Sequence, residues 1–334
     1  MEKIKWDPGR LLQLSGSYWQ TFTLHAGVKL DIFSQLAKGA LSAAGLAERL
    51  HLDLRGATMI LNALAAMQLI EHKGGSYHAG KAALRFLDRS SPDYIGHMIM
   101  HHHYLADSWA RMHQAVRSGK PVRLRATDEN ESKREAFLMG MYTIASQQAP
   151  QIAALIDLSQ KKRLLDLGGG PGTYAIAFCK KNEMLEADVV DLATTRIFAE
   201  KTISRHNLTE RIRFVAGDYV SGPISGTYDV VWVSHILHAE APAICEHIIQ
   251  KAVNALESGG TLLVHDFILD NTMDGPLFPA LFALNMLQGT DHGQTYSENQ
   301  IRGMLRKAGI IRIQRLDYCG PTQSGILQGI KNQG

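Results

Sequence analysis

The second half of the sequence alternates short apolar segments with segments of helical period, beginning near Lys162. Helices are expected over 172–181 and 242–256. Strands are expected over 163–167, 187–191, 212–216, 229–234 and 260–267. This alternation predicts an α/β fold with a parallel sheet covered by helices on both faces. Ligands of such sheets bind at the carboxyl ends of the strands, which is where functional residues are expected.

The first 115 residues follow a helical period instead. Apolar residues recur at helical spacing over 17–36, Ser42 predicts the start of a helix reaching residue 50, and a further helix is expected over 54–68. Residues 69–73 and 76–79 predict two short strands around a glycine turn. Two helices followed by such a ribbon are the pattern of a winged helix. The polar, basic stretch 118–135 predicts a surface linker, followed by a helix to about residue 158.

A winged helix often binds DNA, so the composition of its second helix matters. Segment 54–68 contains one basic residue, Arg55, among many apolar ones, whereas a groove-reading helix presents Arg, Lys, Asn or Gln. The formal net charge is only +3, too small an excess for a typical nucleic-acid binder. We therefore expect a packing or dimerising role and no nucleic-acid partner, with a DNA-binding regulator as the alternative.

Composition limits the class of protein further. A chain of 334 residues corresponds to about two domains, and 45% hydrophobic with 20% charged residues is globular in type. Three cysteines far apart form no zinc or disulfide pattern. With no apolar leader and no run of 18 apolar residues, we expect a soluble cytoplasmic protein with no membrane partner.

The strongest local signal is the segment Asp166-Leu167-Gly168-Gly169-Gly170-Pro171-Gly172, which ends a predicted strand and opens a helix. Glycines there let a ligand approach the backbone. In a dinucleotide fingerprint the third glycine position would fall on Thr173. The spacing therefore favours a nucleoside without phosphates over a nicotinamide dinucleotide, whose oxidoreductases remain an alternative.

Two further carboxylates end predicted strands. Asp191, followed by Leu192, can accept hydrogen bonds from both hydroxyls of a ribose, or it can cap a helix. Asp218, followed by Tyr219, is placed to contact an adenine amino group.

Together, these motifs resemble those of S-adenosylmethionine (SAM)-dependent methyltransferases. The chain is most similar to the O-methyltransferase group that includes caffeate, hydroxyindole and bacterial polyketide enzymes. The resemblance implies a winged-helix dimerisation domain (9–115), a helical linker and acceptor segment (116–160) and a Rossmann-like catalytic domain (161–334). It also implies a homodimer that binds SAM, with a cofactor site formed by Asp166, Gly168, Gly169, Gly170, Gly172, Asp191, Leu192, Asp218, Tyr219 and Ser234.

The same resemblance implies a catalytic pair. In the family, a histidine and a cysteine seven residues later follow the fourth strand, and here they are His238 and Cys245. His238 is the expected general base, and Asp266 is the carboxylate that orients it; His235 is a competing histidine without the family register. The family's second acidic position holds Thr295, so the base keeps one acidic partner and lacks the other.

The resemblance also implies an acceptor pocket. Its expected residues are Met141, His102, Phe282, Met286, His292 and Thr295. His97 and His101 are four residues apart, a spacing used for metals, but no acid or cysteine completes such a set, and no metal is expected.

We therefore expect O-methylation of an aromatic or polyketide-like small molecule. Methylation of carbon, sulfur or nitrogen, or a diverted SAM-dependent reaction on the same fold, is the nearest alternative. Because positioning alone supplies about 7–11 kcal/mol and a general base typically about 10²–10⁴-fold in rate, removal of His238 should slow the reaction without abolishing it.

Overall fold

The computed structural model describes residues 5–124 and 130–333. These residues divide into two compact units. One unit contains the described residues of Met1–Leu105 together with Glu135–Thr143, and the other contains those of Ala106–Arg134 and Ile144–Gly334. The predicted segment 116–160 thus has residues in both units, and part of its predicted linker, residues 125–129, lies outside the described residues.

The helices and strands follow in chain order. The helices are α1 (Pro8–Gly16), α2 (Tyr18–Lys29), α3 (Ile32–Ala37), α4 (Ala43–Leu50), α5 (Leu54–Ala66), α6 (Lys81–Phe86), α7 (Gly96–Ala110), α8 (Met112–Ser118), α9 (Glu131–Leu155), α10 (Thr173–Lys181), α11 (Arg196–Arg205), α12 (Pro242–Ala255), α13 (Leu277–Gly289) and α14 (Glu298–Lys307). The strands are β1 (Ile70–Lys73), β2 (Ser76–Ala79), β3 (Arg163–Leu167), β4 (Glu186–Asp191), β5 (Ile212–Ala216), β6 (Tyr228–Ser234), β7 (Leu256–Leu269), β8 (Tyr296–Ser297), β9 (Ile310–Arg315) and β10 (Ser324–Lys331).

The first unit contains the predicted pair of helices and ribbon. The Ser42 hydroxyl accepts from an amide in the first turn of α4, which confirms the predicted helix start, and Asp53 caps α5 in the same way. Strands β1 and β2 pair antiparallel. The apolar stretch 17–36 is divided between α2 and α3, because Asp31 adopts a left-handed backbone (φ 62°) that ends helical geometry.

The second unit is built on a sheet with strand order β5-β4-β3-β6-β7-β10-β9, and β8 pairs with β7. The five predicted strands are confirmed, with β7 longer than expected, and β3 to β7 run parallel. Two strands that were not predicted extend this parallel sheet at one side, where β10 is antiparallel to β7 and β9. Residues 316–323 join β9 to β10, too few for the crossover of about a dozen residues that parallel strands need.

Helices cover both faces of this sheet. Side chains of β3 alternate between the two apolar layers, with Leu165 and Leu167 in one and Leu164 in the other. The chain order reverses beside β3, whose neighbours β4 and β6 lead towards opposite edges. The carboxyl ends of β3 and β6 therefore border the crevice where open α/β sheets bind ligands. Among the described residues, no helix combines the length and apolar character needed to cross a bilayer.

Candidate active site

The glycine segment leaves β3 in a turn that only glycine fits easily. Gly168 has φ 71°, and its amide donates to the Val190 carbonyl at 2.8 Å. A Cβ atom at Gly168 would lie 2.5 Å from Cγ2 of Ile236, and one at Gly169 would lie 2.5 Å from Cγ of Asp166. The turn therefore has no room for a side chain at Gly168 or Gly169, and the Gly168 amide holds its backbone against β4.

Asp166 is a buried acid beneath this turn. One carboxylate oxygen, Oδ2, accepts from the Ala175 amide at 3.3 Å, and the other, Oδ1, has no hydrogen-bond partner among the described residues. Burial raises the pKa of Asp166 to about 7 because desolvation disfavours the charged form.

Asp191 connects the glycine turn to the end of β4. Its Oδ2 accepts from the Gly170 amide at 2.8 Å, and its Oδ1 accepts from the amide of Leu192 at 2.7 Å and the hydroxyl of Thr195 at 3.0 Å. Burial raises the pKa of this carboxyl, although these hydrogen bonds oppose the rise. Asp191 thus links the glycine turn to Leu192 and to Thr195 of a short 3₁₀ turn, Ala193–Thr195, which has no side-chain cap. Its half-buried side chain lies beside the glycine loop.

Asp218, which follows β5, accepts hydrogen bonds within the turn that it begins. Asp218 accepts from the Val220 amide at 2.8 Å and from the Ser221 hydroxyl at 2.6 Å. Partial burial favours a higher pKa, but these hydrogen bonds outweigh it and lower the pKa of Asp218. The hydroxyl of Tyr219 donates to Oε1 of Glu240 at 3.4 Å.

The catalytic residues implied by the resemblance lie in direct contact. Nδ1 of His238 lies 2.6 Å from Oδ1 of Asp266, and both side chains are buried. The Phe267 amide donates to the same oxygen at 2.8 Å. Burial alone would raise the pKa of Asp266, but His238 and then His235 outweigh that effect and hold it well below the usual range.

A second histidine, His235, lies near the same carboxylate oxygen. Its Nδ1 is 3.7 Å from Oδ1 of Asp266, beyond hydrogen-bond distance. The backbone of His235 is left-handed (φ 55°), and its ring lies 4.4 Å from that of His265 and 4.5 Å from that of Phe267, centre to centre. Asp266 therefore faces two histidines, of which the family register singled out only one.

Two phenylalanine rings contact the His238 ring, and a third packs against both of them. The ring of Phe282 meets it edge-on at 4.8 Å and that of Phe267 lies 5.6 Å away. Phe278 stacks on Phe282 at 5.9 Å. This aromatic face, Phe267 with Phe278 and Phe282, is apolar and suited to a flat ring.

The remaining predicted residues are placed as follows. Thr295 is buried, and its hydroxyl donates to the Pro279 carbonyl at 3.1 Å; Met286 is buried in α13, whereas His292 is exposed. On the first unit, His102 is exposed and Met141 is half-buried. As pocket residues, all five stay predictions.

Cys245 is buried, and its thiol donates to the Leu237 carbonyl at 3.1 Å. Burial raises its pKa to about 12, so it stays a thiol, and it packs against the short segment Leu237–Ala239 that carries His238.

A buried hydrogen-bond network around His265 was not predicted from the sequence. Nδ1 of His265 lies 3.1 Å from the Ser234 hydroxyl, and Nε2 lies 3.0 Å from the Ser324 hydroxyl. Burial lowers the pKa of His265 far below its ordinary value, so the ring is neutral. The hydroxyl of Ser234, which was predicted to contact the cofactor, is hydrogen-bonded to His265 in this network. No local signal marks Ser324, which is 59 residues from His265 in sequence.

One group of side chains in the described part of the chain has the spacing of metal ligands. It comprises His235, His238 and Asp266, with one ligand atom of each within 4.8 Å of the others. The pair His97 and His101 is not part of such a group.

Comparison with known proteins identifies the class. A family model described as an O-methyltransferase domain matches residues 103–311, and one described as an O-methyltransferase dimerisation domain matches residues 12–89. The chain is 33% identical to 3-hydroxy-5-methyl-1-naphthoate 3-O-methyltransferase of Streptomyces sahachiroi, over 97% of this chain and 95% of the relative. It is 31% identical to the tetracenomycin polyketide synthesis 8-O-methyltransferase TcmO of Streptomyces glaucescens, over 96% of each.

The fold agrees with these relatives. The solved structure of PigF with S-adenosylhomocysteine superposes with a TM-score of 0.90 at 26% identity, covering 98% of this chain and 100% of PigF; PigF is known from a Serratia species. The chain belongs to the O-methyltransferase family and is a SAM-dependent methyltransferase.

Proposed function

We propose that this methyltransferase acts on a hydroxyl group of an aromatic or polyketide-like small molecule, with His238 as general base and Asp266 as its positioning residue. The observation that carries the proposal is the 2.6 Å contact between Nδ1 of His238 and Oδ1 of Asp266. A histidine that donates from Nδ1 to a carboxylate keeps its lone pair on Nε2. That atom can accept the proton of an acceptor hydroxyl.

The loop from Gly168 to Gly172 is the proposed cofactor cradle, with Asp191 for the ribose and Asp218 and Tyr219 for the base. Bound SAM supplies an electrophilic methyl group on a sulfonium. The residues fit such a ligand: the cradle is glycine backbone that a Cβ atom would obstruct at Gly168. Asp166 Oδ1 beneath it is a buried acceptor available to a bridging polar group. Leu192 and Ser234 stay in the proposal as residues that border the cradle.

Substrate positioning and the general base lower the reaction barrier by different amounts. Holding acceptor and methyl donor in line supplies about 7–11 kcal/mol of the barrier reduction. The base contributes about 10²–10⁴-fold in rate. Phenols, with a reference pKa near 10, benefit most from the proton acceptor.

The aromatic face gives the acceptor its proposed class. Phe282 and Phe267 contact the His238 ring, so a flat apolar acceptor that stacks on them brings its hydroxyl to Nε2. The relatives' names, a naphthoate methyltransferase and a polyketide methyltransferase, agree with this chemistry. Met286, His292 and Thr295, together with Met141 and His102 on the first unit, stay proposed pocket residues from the family resemblance.

The experiment measures single-turnover methyl transfer from labelled SAM to a panel of naphthols, hydroxynaphthoates and matched amines and thiols. We expect the phenolic compounds to be methylated, and His238→Gln to slow them by about 10²–10⁴-fold with SAM affinity unchanged. A wild-type single-turnover rate in His238→Gln would show that His238 is not the general base. Methylation of the amines or thiols in place of the phenols would show that the acceptor atom is nitrogen or sulfur and not oxygen.

We also propose a homodimer formed through the first unit. Helices α1 and α2 expose large apolar side chains along their length: Leu11, Leu12, Leu14, Tyr18, Trp19 and Phe22. We call this set the N-terminal apolar face. Large apolar side chains exposed close together in sequence are typical of a protein interface, and the dimerisation-domain match covers residues 12–89. The pair α4–α5 with the β1–β2 ribbon has the winged-helix pattern, and Arg55 is the single basic residue of α5, which supports a packing role.

A further inference from the structure

We propose that His235, His238 and Asp266 bind one divalent transition-metal ion of the Zn²⁺ type, and that the bound ion stops His238 from acting as a base. The binding itself does not depend on the proposed function; its inhibitory effect does.

The geometry is close to that of a metal centre. One ligand atom from each of the three residues lies within 4.8 Å of the others. Zinc bonds to histidine nitrogen and carboxylate oxygen are about 2.0–2.2 Å long, so bound donors lie roughly 3–3.5 Å apart. The 2.6 Å contact of His238 with Asp266 would open slightly, and the 3.7 Å contact of His235 would close slightly. The ligand atoms of His235 and His238 lie within 4.8 Å of one another and would also have to reach this spacing.

The donor set is also chemically suitable. Two imidazoles and one carboxylate form a three-ligand set that leaves coordination positions open for water. Nδ1 of His235 is buried and forms no hydrogen bond with the described residues, so a metal would gain a ligand there without breaking a contact. The amide of His235 donates to the His265 carbonyl at 2.8 Å, and His265 is held between Ser234 and Ser324. His235 is therefore held in place before a metal arrives.

Metal binding and base catalysis use the same ring in opposite ways. In the proposed enzyme, His238 carries its proton on Nδ1 and accepts at Nε2. A metal bound to Nδ1 replaces that proton, and the neutral ring then carries its single proton on Nε2. Nε2 becomes a donor and cannot take the acceptor's proton, so occupation of the site inhibits methyl transfer.

The test is a calorimetric titration of Zn²⁺ into tag-free wild type, His235→Asn and His247→Asn. Asn is suited to position 235 because it tolerates positive φ, and its amide is a poor ligand for zinc. His247 is exposed on α12 and serves as the matched surface control. We expect one Zn²⁺ per wild-type chain, affinity lower by about tenfold or more in His235→Asn, and no change in His247→Asn. Visible absorption bands of added Co²⁺ should report nitrogen coordination in the wild type.

If His235→Asn binds Zn²⁺ with wild-type affinity, or if the wild type does not bind one Zn²⁺ per chain, the proposed metal site is wrong. The methyl-transfer rate provides the second arm: Zn²⁺ should inhibit the wild type, a chelator should restore it, and His235→Asn should need about tenfold more Zn²⁺ for the same inhibition. If Zn²⁺ binds one-to-one through His235 but does not inhibit methyl transfer, the metal site is supported and His238 is excluded as the general base. If His238→Gln is slow but the wild type binds no Zn²⁺, His238 is supported as the general base and the metal site is excluded.

Discussion

Oδ1 of Asp266 accepts from His238 at 2.6 Å, although 28 residues separate the two in sequence. The contact follows from topology: β6 and β7 are parallel neighbours, so the residues at their carboxyl ends meet at one edge of the sheet. The Phe267 amide fixes the same oxygen, and the His238 amide donates to Oδ2 at 3.4 Å. The carboxylate is thus held by backbone and can orient the imidazole with little loss of freedom.

If Asp266 acts through His238, the two should not contribute independently. Asp266→Asn is expected to lower the single-turnover rate by about ten- to a hundredfold in the wild type, within the span of a general base. In a His238→Gln background the same change should have almost no further effect, because the histidine that it orients is gone. The four rates form a double-mutant cycle, and equal losses in both backgrounds would show that Asp266 does not act through His238.

Gly168 should contribute to both stability and cofactor binding. Gly168→Ala would place a Cβ atom 2.5 Å from Ile236 at φ 71°, so we expect a loss of about 1–3 kcal/mol in unfolding free energy and weaker SAM binding. Gly303→Ala is the control, since a Cβ there meets nothing within 4 Å in α14; it should be neutral or stabilising by up to about 1 kcal/mol. Urea denaturation and SAM titration test both variants, and equal stability of the two would contradict the steric argument.

The strands of the parallel sheet were predictable because their buried faces leave apolar runs in the sequence. Strand β3 matches its prediction at both ends. Strands β9 and β10 were not predicted, and β9 shows why: five of its six residues, from Ile311 to Arg315, are not fully buried, so it carries no apolar run. Strand β7 begins earlier than expected because Leu256 already pairs with Tyr228 of β6. The register shifts before the next pair, Val230 with Thr261, and the residues between, which include Glu257 and Ser258, carry no apolar pattern.

The candidate site was predictable where it rests on motif order and unpredictable where it rests on long-range packing. The register of His238 and Asp266 placed both at strand ends, and the sheet brings them together. The position of His235 depends on a left-handed backbone and on His265 behind it. The Ser324 hydroxyl reaches His265 only through the antiparallel pairing of β10 with β7, which no local pattern shows.

Asp166 should make stability depend on pH. Burial raises its pKa from 3.8 to about 7, so the folded state binds this proton more tightly than the unfolded state does. The stabilisation is complete below the unfolded pKa and is lost as the pH rises through about 7. Asp166→Asn mimics the neutral acid, so it should match the wild type near pH 4 and exceed it at pH 8, by on the order of 1–4 kcal/mol. Urea denaturation of the ligand-free proteins across this range is the measurement, and a constant difference at all pH values would contradict the assignment.

The N-terminal apolar face should control the oligomeric state. Trp19 and Leu12 expose 70% and 73% of their surface, which is costly in water at about 25 cal/mol per Å² of apolar area unless a second copy covers it. Trp19→Glu would bury a charge in the proposed interface, and we expect it to raise the dimer dissociation constant by a hundredfold or more, roughly 3 kcal/mol.

The matched control for Trp19→Glu is Met184→Glu, which changes a side chain of similar exposure (75%) in the second unit. Sedimentation velocity over a range of protein concentrations should show the control as a dimer and Trp19→Glu as a monomer. A monomeric wild type at micromolar concentration, or dimers of unchanged affinity in Trp19→Glu, would show that this face does not join two copies of the chain.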